Sequence, residues 1–149
     1  ELAALAEDGP TAPLLGYLAT QPRVFDSVAA TDAVLPGQSV TLEVTATAKF
    51  SHITAVGMLA STNDTFFAAH GVLAPRRGQM TVGADAYDAG SEANNESCDF
   101  IPGPPCESAN VRATEGAEGY VHVGGGVHGI GSLIPSMQHK GPRPVVQCV

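Results

Sequence analysis

The sequence contains no tryptophan, and aromatic residues make up only 5% of it. A cleft that works on sugars leans on aromatic platforms, so this scarcity argues against that class of enzyme. Basic residues are also few: seven Lys and Arg stand against fifteen Asp and Glu, a formal net charge of −8. A chain of that sign repels phosphate backbones, which argues against nucleic acid and favours cations or basic surfaces. No run of about 18 apolar residues occurs, so no helical membrane span is expected. The motifs G-x-S-x-G and H-E-x-x-H are missing as well, and the chain is expected not to be an enzyme. It opens on Glu1 rather than Met, which reads as a processed or truncated product.

What remains is a chain of 149 residues, 44% hydrophobic, with 17 glycines and 11 prolines. That is enough for one domain with a core, built from many short elements joined by turns. Strong helix formers concentrate in the first twenty residues. Leu2, Leu5 and Ala6 share a helical face that stops at Gly9-Pro10, and Thr11 is placed to cap a second helix carrying Leu14, Leu15 and Leu18 up to Pro22. The period then changes. Over 38–48, Val40, Leu42, Val44 and Ala46 alternate with Thr41, Glu43, Thr45 and Thr47, which predicts a half-buried strand. Residues 52–60 read as a more fully buried strand. Residues 79–86, with Met80, Val82, Ala84 and Ala86 on one face, 119–123 and 143–149 complete the set. One domain over 1–149 is expected, mostly β: a helical segment at 1–23 and an antiparallel β-sandwich over 24–149.

Three cysteines are present. Cys98 and Cys106 bracket Asp-Phe-Ile-Pro-Gly-Pro-Pro, a stretch that turns back on itself, and a disulfide fits there better than a metal pair. Such a bond implies an oxidising compartment, hence a periplasmic, cell-surface or secreted protein. Cys148 is left free or to pair with another chain.

The densest polar group, Tyr87-Asp88-Ala89-Gly90-Ser91-Glu92-Ala93-Asn94-Asn95-Glu96, follows a strand and opens the long acidic stretch 87–117. Calcium takes about six to eight oxygen ligands, and a flexible loop of carboxylates, amides and carbonyls supplies them. Gly90 lets the chain bend while Asp88 and Glu92 turn inward, and Asp64 in Thr62-Asn63-Asp64-Thr65 offers a third carboxylate. The same composition also suits a solvated acidic loop. The histidines give an alternative: His70, His122 and His128 are candidate copper or zinc ligands, since imidazole suits both metals. Met58, Met80 and Met137 read as core residues rather than soft ligands. Gly124-Gly125-Gly126-Val127-His128-Gly129 matches G-x-G-x-x-G in form only, because no βαβ unit surrounds it; sharp turning or close backbone approach is its expected role.

Three separated motifs carry a resemblance. Leu59-Ala60-Ser61-Thr62-Asn63-Asp64-Thr65-Phe66-Phe67, Ala86-Tyr87-Asp88-Ala89-Gly90-Ser91-Glu92, and Gly119-Tyr120-Val121-His122-Val123 through Val127-His128-Gly129-Ile130-Gly131 resemble, in this order, the spondin N-terminal domain, above all its bacterial stand-alone form. The likeness covers roughly Pro36 to Leu133. It implies a C2-like antiparallel β-sandwich with calcium at one end, held by Asp64, Asp88 and Glu92, where Glu92 takes a position that is Asp in the animal matrix relatives. Two departures stand out. Bacterial relatives usually begin with a strand upstream of the helical pair, whereas this chain opens inside what should be the first helix. Either the sequence starts late, or the protein was cut, or a partner supplies that edge. Many also carry His-x-His where this chain has His122-Val123-Gly124. The combined expectation is an extracytoplasmic calcium-binding module whose function is binding a protein or matrix partner: adhesion, matrix contact, or service as an accessory subunit of a larger extracytoplasmic assembly. A copper- or zinc-binding protein using the three histidines is the alternative.

Overall fold

A computed structural model of the chain describes residues 1–134 and 144–148. Two short helices lead: α1 over Leu2–Asp8 and α2 over Ala12–Ala19. Six strands follow: β1 over His52–Met58, β2 over Thr65–Leu73, β3 over Met80–Gly83, β4 over Asp85–Asp88, β5 over His122–Val123 and β6 over Val145–Cys148. They form two antiparallel sheets, one ordered β1-β2-β4-β5 and one of β3 with β6. The mostly β expectation with a helical start therefore holds.

Helix α1 ends as Gly9-Pro10 suggests. Gly9 sits at φ 82°, in the left-handed region, and its N–H donates to the Leu5 carbonyl at 3.0 Å. Leu5 and Ala6 are buried as the helix packs on β1 and β2. Thr11 does stand at the start of α2, yet its side chain makes no capping bond. Leu14, Leu15 and Leu18 are only half-buried, so α2 is a peripheral element.

The strand expected over 38–48 does not form. The alternation is real, but a ladder needs a neighbour, and among the described residues this segment has none; Val40 and Leu42 stay 49% and 46% exposed. Its anchors are individual bonds, such as Thr45 N–H to Asp26 Oδ2 at 2.7 Å and Thr47 N–H to the Phe50 carbonyl at 2.9 Å. Strand 52–60 is shorter and less buried than its composition suggested, with His52 and Thr54 exposed. The single strand over 79–86 is two strands: the chain leaves one sheet after Gly83 and enters the other at Asp85, through the buried Ala84. Val145–Cys148 pairs with Met80–Gly83, so the closing strand exists, while Met137 and the outer residues of 143–149 fall outside the described residues.

Register is fixed by side chains that interlock across strands. Gly57 lies opposite Phe67, and a Cβ on Gly57 would meet the Phe67 ring at 2.6 Å; the missing side chain is what lets the ring lie over the strand. Phe66 opposes Tyr87, their rings stacked with centroids 5.7 Å apart. Phe66, Ala69, Ala84, Ile101, Ala113, Leu133 and Cys148 join the α1 residues in the core. Ile101 and Ala113 belong to the acidic stretch 87–117, so that stretch is packed onto the body despite having no regular structure beyond Asp88. The expected disulfide between Cys98 and Cys106 closes the loop around Ile101, and the Ser61 N–H and Oγ donate to the Pro102 and Pro104 carbonyls of that loop. Cys148 is free and buried.

Candidate metal centre

The site begins at the turn between β1 and β2. Thr62 Oγ1 donates to the Leu59 carbonyl at 2.7 Å and accepts from the Thr65 N–H at 3.1 Å, which closes the turn locally. The next two residues, Asn63 and Asp64, are carried inward and buried. Sheet register does the rest. Thr65 pairs with Asp88, and Asp88 pairs with His122, so three segments far apart in sequence end on one line across the sheet.

The three carboxylates singled out in the sequence are all interior: Asp64 is 0% exposed, Asp88 1% and Glu92 1%. Asp64 Oδ2 accepts from the Ser91 N–H at 2.7 Å, the Ser91 hydroxyl at 3.0 Å and the Glu92 N–H at 3.0 Å. Asp64 Oδ1 is buried without a hydrogen-bond partner among the described residues. Asp88 Oδ1 accepts from the Gly90 N–H at 2.7 Å and Oδ2 from the Asn94 amide at 2.7 Å. Glu92 Oε1 accepts from the Ala113 N–H at 2.8 Å. Among the described residues, no Lys or Arg forms an ion pair with Asp64 or Asp88.

Burial and crowding of like charge show in the protonation equilibria. Desolvation and then the Asp88 charge raise the Asp64 carboxyl above the usual carboxylate range, against the hydrogen bonds from Glu92 and Ser91. Burial pushes Glu92 up to about 7, helped by the charges of Glu7 and Asp64 and opposed by the Ala113 N–H and by Arg112. Arg112 belongs to a neighbouring cluster, with Nη1 2.8 Å from Glu7 Oε2 and Nη2 3.4 Å from Asp8 Oδ2.

Among the described residues, the one group whose donor atoms approach within 4.8 Å of one another is Asp88, Glu118 and His122. Asp64 and Glu92 are not members, although the charges of both Asp88 and Asp64 act on His122. His122 does not meet the other two histidines in such a group. His70 is exposed on β2 and His128 is exposed in the glycine-rich loop. Sequence reasoning missed Glu118, which nothing in its own neighbourhood marks. Its placement depends on Gly90, where φ is +65° and a Cβ would run into the backbone carbonyl of Tyr120. The Gly119 N–H donates to the Gly90 carbonyl at 2.7 Å, which binds 118–120 onto the bend after Asp88. Gly90 was expected to bend the chain around an ion; its immediate task is to admit this second segment.

Glu96 was a second omission. Its carboxylate is buried and takes the backbone N–H groups of His128, Gly129 at 2.7 Å and Ile130 at 2.9 Å. Burial works to raise its pKa, but the N–H groups of His128, Ile130, Gly129 and Gly131 prevail and hold it below the ordinary value. The glycine-rich run is therefore a nest of backbone donors around a carboxylate of the same chain, and Gly131 has no room for a Cβ beside the Asn95 and Glu96 carbonyls. This is the close-approach role expected of the run, with an internal anion in place of a nucleotide. Comparison of the chain with known protein families, with curated proteins and with solved structures finds no match.

Proposed function

We propose that this chain is an extracytoplasmic binding module of the spondin N-terminal type, whose loop end is ordered by calcium. One observation carries the reading: Asp64 and Asp88 are both buried and, among the described residues, neither has a Lys or Arg partner and Asp64 Oδ1 has no hydrogen bond. A buried unpaired carboxylate is costly, and a hard divalent cation relieves both the repulsion and the missing contact. Glu92 supplies a third carboxylate from the same loop. The two antiparallel sheets fit a C2-like sandwich, and the Cys98–Cys106 bond fits an oxidising compartment. Among the described residues β1 pairs with β2 alone, and its other edge is the place where a partner strand would add. The cation thus acts on binding by fixing the 87–117 loop, the surface the module presents.

Melting curves in EDTA and after calcium add-back test this. A site filled at about 100 times its dissociation constant adds about 2.7 kcal/mol, worth about 5–10 °C in a chain of this size. Asp64→Asn is expected to abolish the calcium response while leaving the EDTA melt as high as that of the wild type or higher. Identical wild-type melts in EDTA and calcium would remove the reading.

A further inference from the structure

His122 presents a nitrogen with an unusual environment. Its Nδ1 lies 3.0 Å from the Val123 carbonyl oxygen, and a carbonyl only accepts, so Nδ1 carries the hydrogen. In neutral His122 the lone pair is then on Nε2. That atom is buried, has no hydrogen-bond partner among the described residues, and faces Asp88 Oδ1 at 3.5 Å. A positive charge between Nε2 and Asp88 Oδ1, either a proton or a metal ion, satisfies both atoms.

The distance is informative in itself. Two donors bound at about 2.1 Å on a tetrahedral zinc ion sit about 3.4 Å apart. Glu118 adds an oxygen within 4.8 Å of both donors. Its Oε1 is 3.3 Å from the Asn94 amide, which also holds Asp88 Oδ2, so one amide orients both carboxylates. The Nδ1–H bond to a backbone carbonyl is the outer-shell contact that metal-ligating histidines usually make, fixing tautomer and ring plane. A nitrogen and two carboxylate oxygens suit a borderline ion better than calcium, whose shell is all oxygen.

We propose that Asp88, Glu118 and His122 form a zinc-class cation site, which shares Asp88 with the calcium position proposed above and includes neither Asp64 nor Glu92. Three protein donors leave a fourth position on a tetrahedral ion for water or a donor from a partner. His70 and His128 take no part.

The test is zinc titration at neutral pH of protein first stripped with EDTA and then freed of chelator, read by competition with a colorimetric zinc indicator. The wild type is expected to take up one equivalent. His122→Ala and Glu118→Gln are each expected to weaken zinc at least about tenfold, and a His70→Ala/His128→Ala double variant to match the wild type. Glu118 is exposed, so its variant reads the site without threatening the fold. Failure of the wild type to bind, or wild-type affinity in both single variants, overturns the proposal. Loss of uptake in the double variant does the same and points to the other histidines. The calcium response of the melt is read on the same samples: its absence counts against calcium at Asp64 and leaves the zinc result standing.

Discussion

The Glu96 carboxylate accepts the Gly129 backbone N–H at 2.7 Å across 33 residues of sequence. With the neighbouring His128 and Ile130 N–H groups, it joins the acidic stretch to the glycine-rich loop through a single side chain.

Replacing that carboxylate with a neutral amide keeps the size and removes the charge. Glu96→Gln also turns an NH₂ group toward backbone donors. The expected loss is about 2–3 kcal/mol, the range for breaking a buried charge-assisted hydrogen bond, seen as a lower urea midpoint with an unchanged slope. The sign with pH follows from the depressed pKa. The wild-type contribution is present above the unfolded pKa and fades as pH falls through the folded one. The gap between variant and wild type therefore narrows in acid. A gap that is the same at all pH values would mean that shape, not charge, holds the loop.

Glu92 has the opposite sign. Its folded pKa of about 7 exceeds the ordinary value of 4.5, so in metal-free protein the folded state binds the extra proton between these limits. Its contribution is complete below pH 4.5 and is lost as pH rises through 7. Part of the melting temperature in EDTA is thus expected to fall from pH 5 to pH 7, and Glu92→Gln to flatten that part. An unchanged slope in the variant would assign the fall to other groups.

Gly90 combines a left-handed backbone with contact against the Tyr120 carbonyl. Gly90→Ala is expected to cost about 2–4 kcal/mol, from strain at positive φ together with overpacking. It should also weaken zinc uptake, because Glu118 and His122 lie on either side of Tyr120. A variant that loses stability but keeps full zinc affinity would show that the two segments find each other without this bend.

These tests also mark where sequence stops being informative. Asp88 was legible as a strand-end residue because residues 79–86 alternate clearly, whereas β2, whose register sets Thr65 opposite Asp88, was not among the expected strands. The disulfide was legible because a turn-rich spacer leaves two nearby cysteines little choice. Glu118 was not, since its position depends on a contact between Gly90 and Tyr120 that no local pattern encodes. The segment 38–48 fails in the opposite direction. Its alternation says which face would be buried, but pairing depends on a neighbour that alternation alone does not name. Calcium and zinc readings diverged for a similar reason: residue types suggested an all-oxygen set, while geometry put an imidazole beside Asp88.

The N-terminal helix has a kinetic consequence. Asp8 accepts the Asn110 N–H at 2.7 Å across 102 residues, and Glu7 is paired with Arg112. Closing so long a span early carries a large entropy cost, whereas β1 and β2 meet through a short turn. The hairpin therefore forms first and α1 docks late, sealing the loop over a sheet already in place. In the folded protein the same order runs backwards: brief detachment of α1 is expected to free the Asn110 N–H to exchange while β1 and β2 stay paired.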